Sequence, residues 1–236
     1  MEHWEALKPG GYRFVYDDAL FLPGTDTFLL SSLPKLKRGL RVCDLGCGTG
    51  LTSLFIAKET GTTVYANDLW ISEEANRERF AAWQMEDRLI PVHEDANCLT
   101  FDREMFDAVI SIDSYHYFAG KEGFFAIKIL PWLKPGGVAL IAVPGMKNEY
   151  DGRSEELCSE WLTDEAYMFQ SASWWKTILG THEDMAQVHT WEMAAFDQPW
   201  QEWFATGHEY AMNDQTFFER IIKPYTCFVG MMVKKK

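Results

Sequence analysis

Three glycines at every second position, Gly46, Gly48 and Gly50, close the stretch VCDLGCGTG that runs from Val42 to Gly50. Glycine has no Cβ to block a sharp turn or the close approach of a ligand, and the N–H groups of such a loop face that ligand together with the helix N-terminus that follows. A dinucleotide fingerprint would need glycine at position 51, where Leu51 stands, so the spacing is GxGxG. Tight glycine turns also serve purely structural ends, and the loop by itself leaves both readings open. Asp68 closes the next apolar run, TVYAND, about 20 residues on, where a carboxylate can accept both hydroxyls of an unphosphorylated ribose. A capping or solvated aspartate is the alternative. A third run ends in VHEDA and places Asp95 at the same edge. Acceptors on consecutive strand ends point to a ribose-bearing ligand, and no phosphate-binding signature accompanies them.

Such residues need strands that all end on one side. From Leu40 onward β-rich runs alternate with stretches of helical period, the pattern of an α/β fold: a doubly wound, Rossmann-like, mostly parallel sheet. Strands are predicted over Leu40–Leu45, Thr62–Asp68, Leu89–His93, Phe106–Ile112 and Gly137–Val143. Helices are predicted over Leu51–Thr60, stopped by Gly61; over Ser72–Met85, with Ser72 as N-cap; and over Lys121–Leu133, interrupted near Pro131. LKPGG reads as a turn feeding the fifth strand. Beyond Pro144 the tryptophans Trp161, Trp174, Trp175, Trp191, Trp200 and Trp203 crowd mostly helical segments, which read as a cover. Two late runs, Ala186–Met193 and Tyr225–Val233, could join the sheet edge and make the helices between Ser154 and Leu179 an insertion. A single domain over residues 1–236 is expected: an N-terminal lid or helix (1–39), a cofactor-binding core (40–145), and a substrate cover with the sheet edge (146–236).

The segments VCDLGCGTG, VYANDL, HEDANCLTF, FDAVISIDSYHYF and LKPGGVALIAVPG together resemble the ordered motifs of class I S-adenosylmethionine-dependent methyltransferases, over roughly Leu40 to Gly145. Upstream, LPGTDTFLLSSL is similar to the helix preceding the first motif in the ubiquinone and menaquinone C-methyltransferases. The resemblance implies S-adenosylmethionine as cofactor. It implies that Asp44 and Gly46 hold its amino acid end, in a loop completed by Cys47, Gly48 and Gly50. Asp68 would bind the ribose, Leu69 would pack on the adenine, Asp95 would accept from the adenine amino group, and Ala96 would donate its N–H to a ring nitrogen. Ile112 matches the position whose backbone flanks the methionine portion, and being apolar it offers no side-chain hydrogen bond there.

SIDSYHYFAG follows the fourth strand and should enter the pocket beside the transferred methyl. His116 is the candidate general base, since an imidazole of pKa about 6.5 can take a proton near neutrality, with a structural histidine as the alternative. Asp113 could orient His116, anchor an amine or face solvent, and Tyr115 is a candidate substrate contact. Tyr12, Phe14 and Tyr16 alternate as an extended piece would; Tyr12 and Tyr16 are candidate substrate contacts from a lid, or else pack against the sheet edge. The late tryptophans could cage an amine, although large aromatics at helical spacing more often pack a core.

Composition bounds the partners. Of 236 residues 47% are hydrophobic and 24% charged, as in ordinary globular chains, and the formal charge of -13 repels nucleic acid and anionic membranes. A small-molecule methyl acceptor is expected, with no nucleic acid and no membrane. Five cysteines without a CxxC pair suit reduced thiols, and with no leader-like N-terminus a cytoplasmic location is expected. His182, His189 and His208 lack metal-ligand spacing, so no metal is expected. Nothing in the sequence signals an oligomeric state. Besides a nicotinamide oxidoreductase as the fold-level alternative, two other readings stand beside small-molecule transfer. One is an adenine N6-methyltransferase acting on RNA or DNA, although SIDSYHYF has no Asn-Pro-Pro-Tyr-type motif; the other is a protein that binds the cofactor without turning it over.

Overall fold

The computed structural model describes residues 2–7, 12–17, 38–149 and 151–236. Strands β1 (Glu2–Leu7) and β2 (Tyr12–Asp17) pair antiparallel as a hairpin, with Leu7 opposite Tyr12 and His3 opposite Tyr16. This hairpin stands where the sequence suggested a lid or helix; LPGTDTFLLSSL lies outside the described residues.

The strands that carry the predicted motifs are β3 (Arg41–Leu45), β4 (Thr63–Asp68), β5 (Leu89–His93), β6 (Phe106–Ile112) and β7 (Leu133–Met146). With β8 (Gln170–Ser171), β9 (Met185–Glu192) and β10 (Thr226–Lys235) they form a sheet in the order β5-β4-β3-β6-β7-β10-β9, the short β8 pairing with β7. From β5 to β7 all neighbours are parallel, while β10 runs antiparallel to both β7 and β9. Parallel strands are covered on both faces, which is why Val42, Cys43 and Leu45 are fully buried.

One face is covered by α1 (Leu51–Thr60) and α2 (Glu73–Ala82), whose Leu54, Ile56 and Phe80 share a core with Val42, Val64 and Ala108. The other face packs Phe125, Ile129, Trp132 and Trp175 against Cys43, Phe106 and Val109. α1 stops where Gly61 turns left-handed at φ +69 and returns its N–H to the Ala57 carbonyl. α2 begins at Ser72, whose Oγ accepts the Ala75 N–H at 3.2 Å, with Glu73 and Glu74 on its positive first turn.

Three expected boundaries move. α2 ends at Ala82 rather than Met85, because Gln84 already sits at φ +57. The helix expected over Lys121–Leu133 is a π turn, Phe125–Ile129, followed by a 3-10 turn, Leu130–Trp132, since Pro131 cannot continue an α-helical ladder. LKPGG is absorbed into the start of β7, where Gly136 takes φ +76 and the register with β6 shifts.

The late β-like runs do join the sheet edge, as β9 and β10. Between β7 and β9 the chain makes an excursion through α3 (Gly152–Leu162), a 3-10 turn (Thr163–Met168), β8 and α4 (Ala172–Leu179). Between β9 and β10 it adds α5 (Asp197–Ala205) and α6 (Glu209–Phe217). Trp175 joins the main core, and Trp200 heads a separate aromatic cluster with Phe204, Phe218 and Phe228.

Candidate active site

Strand order reverses between β3 and β6: β4 and β5 follow β3 outward on one side, while β7 follows β6 on the other. At such a point the connections part, and a crevice opens at the carboxyl ends of the strands. Apart from Tyr12 and Tyr16 on β2, the residues singled out by sequence fall on the ends of β3, β4, β5 and β6 and the turns that follow them.

Asp44, next to last in β3, is buried; its Oδ2 accepts from the Ser53 hydroxyl at 2.6 Å, and its Oδ1 has no partner. Burial pushes the carboxyl up to about 7. A buried acceptor without a donor is costly, and it fits a ligand that brings a cation or N–H of its own.

The glycine loop is pinned from three sides. The N–H groups of Gly46 and Cys47 both donate to the Asn67 carbonyl, at 2.9 and 2.8 Å, and Asn67 Nδ2 reaches the Glu94 carbonyl at 2.9 Å. Gly48 donates to Asp68 Oδ2 at 2.8 Å, and its carbonyl accepts from Asn76 Nδ2 at 3.0 Å. The Leu45 carbonyl accepts from the hydroxyls of Ser111 and Ser114 at 2.7 and 2.8 Å, which joins the ends of β3 and β6. The three glycines therefore have different reasons. All three have positive φ, but a Cβ on Gly46 would strike Ser114 and one on Gly50 would strike the Phe80 ring, whereas one on Gly48 would meet nothing within 4 Å. Only Gly48 leaves its Cβ position open for something else to approach.

Asp68 is less free than the sequence suggested. Besides Gly48, it accepts from the N–H groups of Trp70 and Ile71 at 2.8 and 2.9 Å, both on Oδ1. A carboxylate has about four lone-pair sites, so one remains rather than the pair expected for two ribose hydroxyls. Leu69 beside it is 52% exposed, an apolar platform held by a 2.8 Å bond between its carbonyl and His93 Nε2. Asp95 closes a turn by accepting from the Asn97 N–H at 2.8 Å and Asn97 Nδ2 at 3.0 Å, which hold its carboxyl below the ordinary range. Ala96 is buried, and its N–H has no acceptor among the described residues. Cys47 turns its Sγ toward its own loop and Asn76, and burial pushes the thiol up, so it contributes backbone rather than a reactive sulfur.

Ile112, the last residue of β6, is half-buried, and Asp113 just beyond it turns the chain at φ +54, a left-handed conformation that costs a residue other than glycine. The Asp113 carboxyl makes no hydrogen bond among the described residues, and burial pushes it up to about 7. Two expectations need correcting here. Tyr115 is 1% exposed and packs against Phe118, Phe124 and Trp175, so it belongs to the core rather than to the substrate. His116 is buried with Nδ1 unpartnered, and burial drives the ring down to about 3, so it is a neutral, weak base with no carboxylate orienting it. Tyr12 and Tyr16 lie on β2, and their side chains fall outside the described residues. Among the described residues no three His, Cys, Asp or Glu side chains gather as metal ligands would.

Sequence reasoning missed the residues that hold the loop: Ser53, Asn67, Asn76, Ser111 and Ser114. Asn76 had a signal, since it is a polar residue one turn before Phe80 on the buried stripe of α2.

A Rossmann-like sheet with a glycine loop and acidic strand ends is an architecture in which nucleotide ligands bind outside the strand ends, and comparison with known proteins narrows the class. Residues 42–137 match the family described as a methyltransferase domain. The sterol 24-C-methyltransferase of Clavispora lusitaniae is 31% identical over 127 residues, covering 52% of this chain and 32% of that protein. The demethylmenaquinone methyltransferase of Clavibacter sepedonicus is 35% identical over 163 residues, covering 61% of this chain and 64% of that one. Among solved structures, geranyl diphosphate C-methyltransferase from Streptomyces coelicolor, in complex with Mg2+, geranyl diphosphate and S-adenosyl-L-homocysteine, superposes with a TM-score of 0.70 at 14% identity, covering 89% of this chain and 77% of that chain. Over residues 42–137 the chain is thus similar to a methyltransferase domain, and its fold is that of the solved methyltransferase. It spans about a third of the length of the sterol methyltransferases it matches.

Proposed function

We propose that this chain is an S-adenosylmethionine-dependent methyltransferase acting on a small molecule. The observation that carries the proposal is Asp44: a buried carboxylate oxygen without a donor, beside a glycine loop with an open approach at Gly48. The ammonium of the cofactor's amino acid end would supply that donor. Its carboxylate would lie toward the N-terminus of α1, which carries no side-chain cap and no acidic residue in its first turn. The remaining lone pair of Asp68 would take one ribose hydroxyl, Leu69 would flank the adenine, and Asp95 with the Ala96 N–H would read its edge. The backbone of Ile112 would flank the methionine portion.

When bound, the sulfonium supplies an electrophilic methyl, which leaves the protein to align an acceptor and to exclude water. Asp113 replaces His116 as the candidate proton acceptor, because a carboxyl brought to about 7 changes charge near neutrality whereas an imidazole at about 3 stays neutral. His116 would then line the pocket as a neutral hydrogen-bonding ring. The acidic charge of -13 supports a small-molecule acceptor over nucleic acid, as does the lack of proline after β6 in Asp113-Ser114-Tyr115-His116. Calorimetric titration with S-adenosylhomocysteine tests the cofactor site; no heat with the wild-type chain would remove it. Transfer of labelled methyl from S-adenosylmethionine to a metabolite pool tests catalysis, and binding without transfer would favour a non-catalytic role. Among the described residues no helix is long and apolar enough to cross a membrane.

A further inference from the structure

Along the carboxyl edge a continuous wall of rings leads away from the adenine side. Trp70, next to Leu69, meets Tyr117 edge-on at 5.3 Å; Tyr117 lies 4.2 Å from the His116 ring; His116 meets Phe169 edge-on at 5.9 Å; and Phe169 meets Trp161 edge-on at 5.8 Å. The wall joins the end of β4, the turn after β6 and the excursion after β7, so it borders the crevice where an acceptor must enter. Trp70 and Tyr117 remain 72% and 42% exposed, which leaves ring surface for a ligand. In an edge-to-face pair such as Trp70 and Tyr117 only one face of one ring is covered, so other negative ring faces remain available.

Two carboxylates accompany the wall. Asp113, in its left-handed turn four residues before Tyr117, and Glu165, on the 3-10 turn four residues before Phe169, flank it; burial chiefly, and these two carboxylates after it, raise the Tyr117 hydroxyl. Among the described residues neither forms an ion pair with lysine or arginine. The His116 Nδ1, in the same turn as Asp113, is buried and unpartnered. Electron-rich faces next to uncompensated carboxylates are the combination that recognises an organic cation, since each ring and each charge contributes attraction that a neutral molecule of the same shape does not receive. A backbone outlier at Asp113 is the kind of strain that persists where a side chain must be aimed.

Granted the methyl-transfer reading of this site, on which it rests, we infer that the acceptor is an organic amine, held as a cation by Asp113 and Glu165 against the exposed rings of Trp70 and Tyr117, with Asp113 taking the ammonium proton so that the freed nitrogen lone pair can accept the methyl. An anionic acceptor would meet two carboxylates without a counter-charge, and a neutral one would leave them unused.

The test uses the full chain saturated with S-adenosylhomocysteine, titrated by calorimetry with choline and with 3,3-dimethylbutan-1-ol, which has the same shape without the charge. Choline should bind at least about tenfold more tightly than the alcohol, an advantage on the scale of a desolvated cation on aromatic faces. Asp113→Asn, which tolerates the left-handed turn as well as aspartate does, should abolish most of that preference. Glu165→Gln should reduce it about threefold while S-adenosylhomocysteine binds as before. Equal affinity for the two probes overturns the inference, as does a choline affinity that neither substitution alters, or no choline binding at all to the loaded protein. Failure to bind S-adenosylhomocysteine in the first place would count instead against the cofactor reading beneath it.

Discussion

Asp44 shows what one side chain can be asked to do. Its Oδ2 is satisfied by Ser53 and its Oδ1 by nothing in the protein, so the unliganded fold carries a desolvated acceptor that a ligand's ammonium would relieve. Asp44→Asn keeps the shape and removes the charge. It should weaken S-adenosylhomocysteine by about 1.5–3 kcal/mol, the range for a charge-assisted hydrogen bond, without lowering stability to urea. Both are read from one preparation, by calorimetry and by the urea midpoint. The glycines separate in the same way. Gly50→Ala drives a methyl into Phe80 and should cost stability above all, seen as a fall in Tm. Gly48→Ala has open space around the new methyl and pays mainly the left-handed penalty of about 1–2 kcal/mol, yet it blocks the approach to the loop, so its cofactor affinity should fall more than its Tm predicts. If the two variants lost affinity and stability in equal proportion, the open approach at Gly48 would have no role in binding.

Elements matter here for what they present to one another. α2 buries only Asn76 and Phe80, and each braces the glycine loop, one by a hydrogen bond to the Gly48 carbonyl and the other by filling the space beside Gly50. On the cover, α6 holds α3 and α5 through a single carboxylate: Asp214 Oδ1 accepts the Trp161 indole N–H at 2.7 Å and Oδ2 accepts that of Trp203 at 2.8 Å. Trp161 in turn backs Phe169, so the ring wall takes its position from a clamp outside the crevice. Asp214→Ala leaves two indole donors without their acceptor and should cost about 2 kcal/mol, a modest figure because Asp214 is half-buried. Tryptophan emission should shift to the red well before global unfolding. An unchanged spectrum and an unchanged Tm would mean that the clamp does not hold the cover.

At the scale of the whole molecule, the buried Asp44 and His116 and the half-buried Asp113 give the fold a pH dependence with opposing signs. Asp44 and Asp113 are raised from 3.8 to about 7, so between those values the folded chain binds protons that the unfolded chain has released, and their contribution is lost as pH rises through the window. His116 is lowered from 6.5 to about 3, so the unfolded chain binds the extra proton there, and stability from this group is lost as pH falls through that range. The carboxyls outnumber the imidazole, and above pH 6.5 only they still titrate. Asp44→Asn should therefore gain stability on wild type as pH rises from about 4 to 7 and hold a constant advantage above that. Urea midpoints at four pH values would show it; a difference that does not change with pH would mean the Asp44 carboxyl is not held protonated by the fold.

The parallel core was legible in the sequence because each element there is decided locally. Apolar-rich runs such as Val42–Leu45 and Ala108–Ile112 become strands covered on both faces, Ser72 and Gly61 mark helix ends, and the late runs at Met185 and Thr226 complete the sheet. The positions of Asp44, Asp68 and Asp95 at one edge follow from that alternation alone. What remained hidden depends on contacts between distant residues. That Asp68 spends three acceptor sites on backbone donors, that Tyr115 and His116 are buried, and that Ser111 and Ser114 clasp the Leu45 carbonyl across 66 and 69 residues all require the sheet to be assembled first. Periodicity reports which side of an element is apolar. Whether a polar atom on that side is satisfied, strained or left waiting for a ligand is decided only when the neighbouring strand arrives, because hydrogen bonding and desolvation act over a few ångströms in space and take no account of separation along the chain.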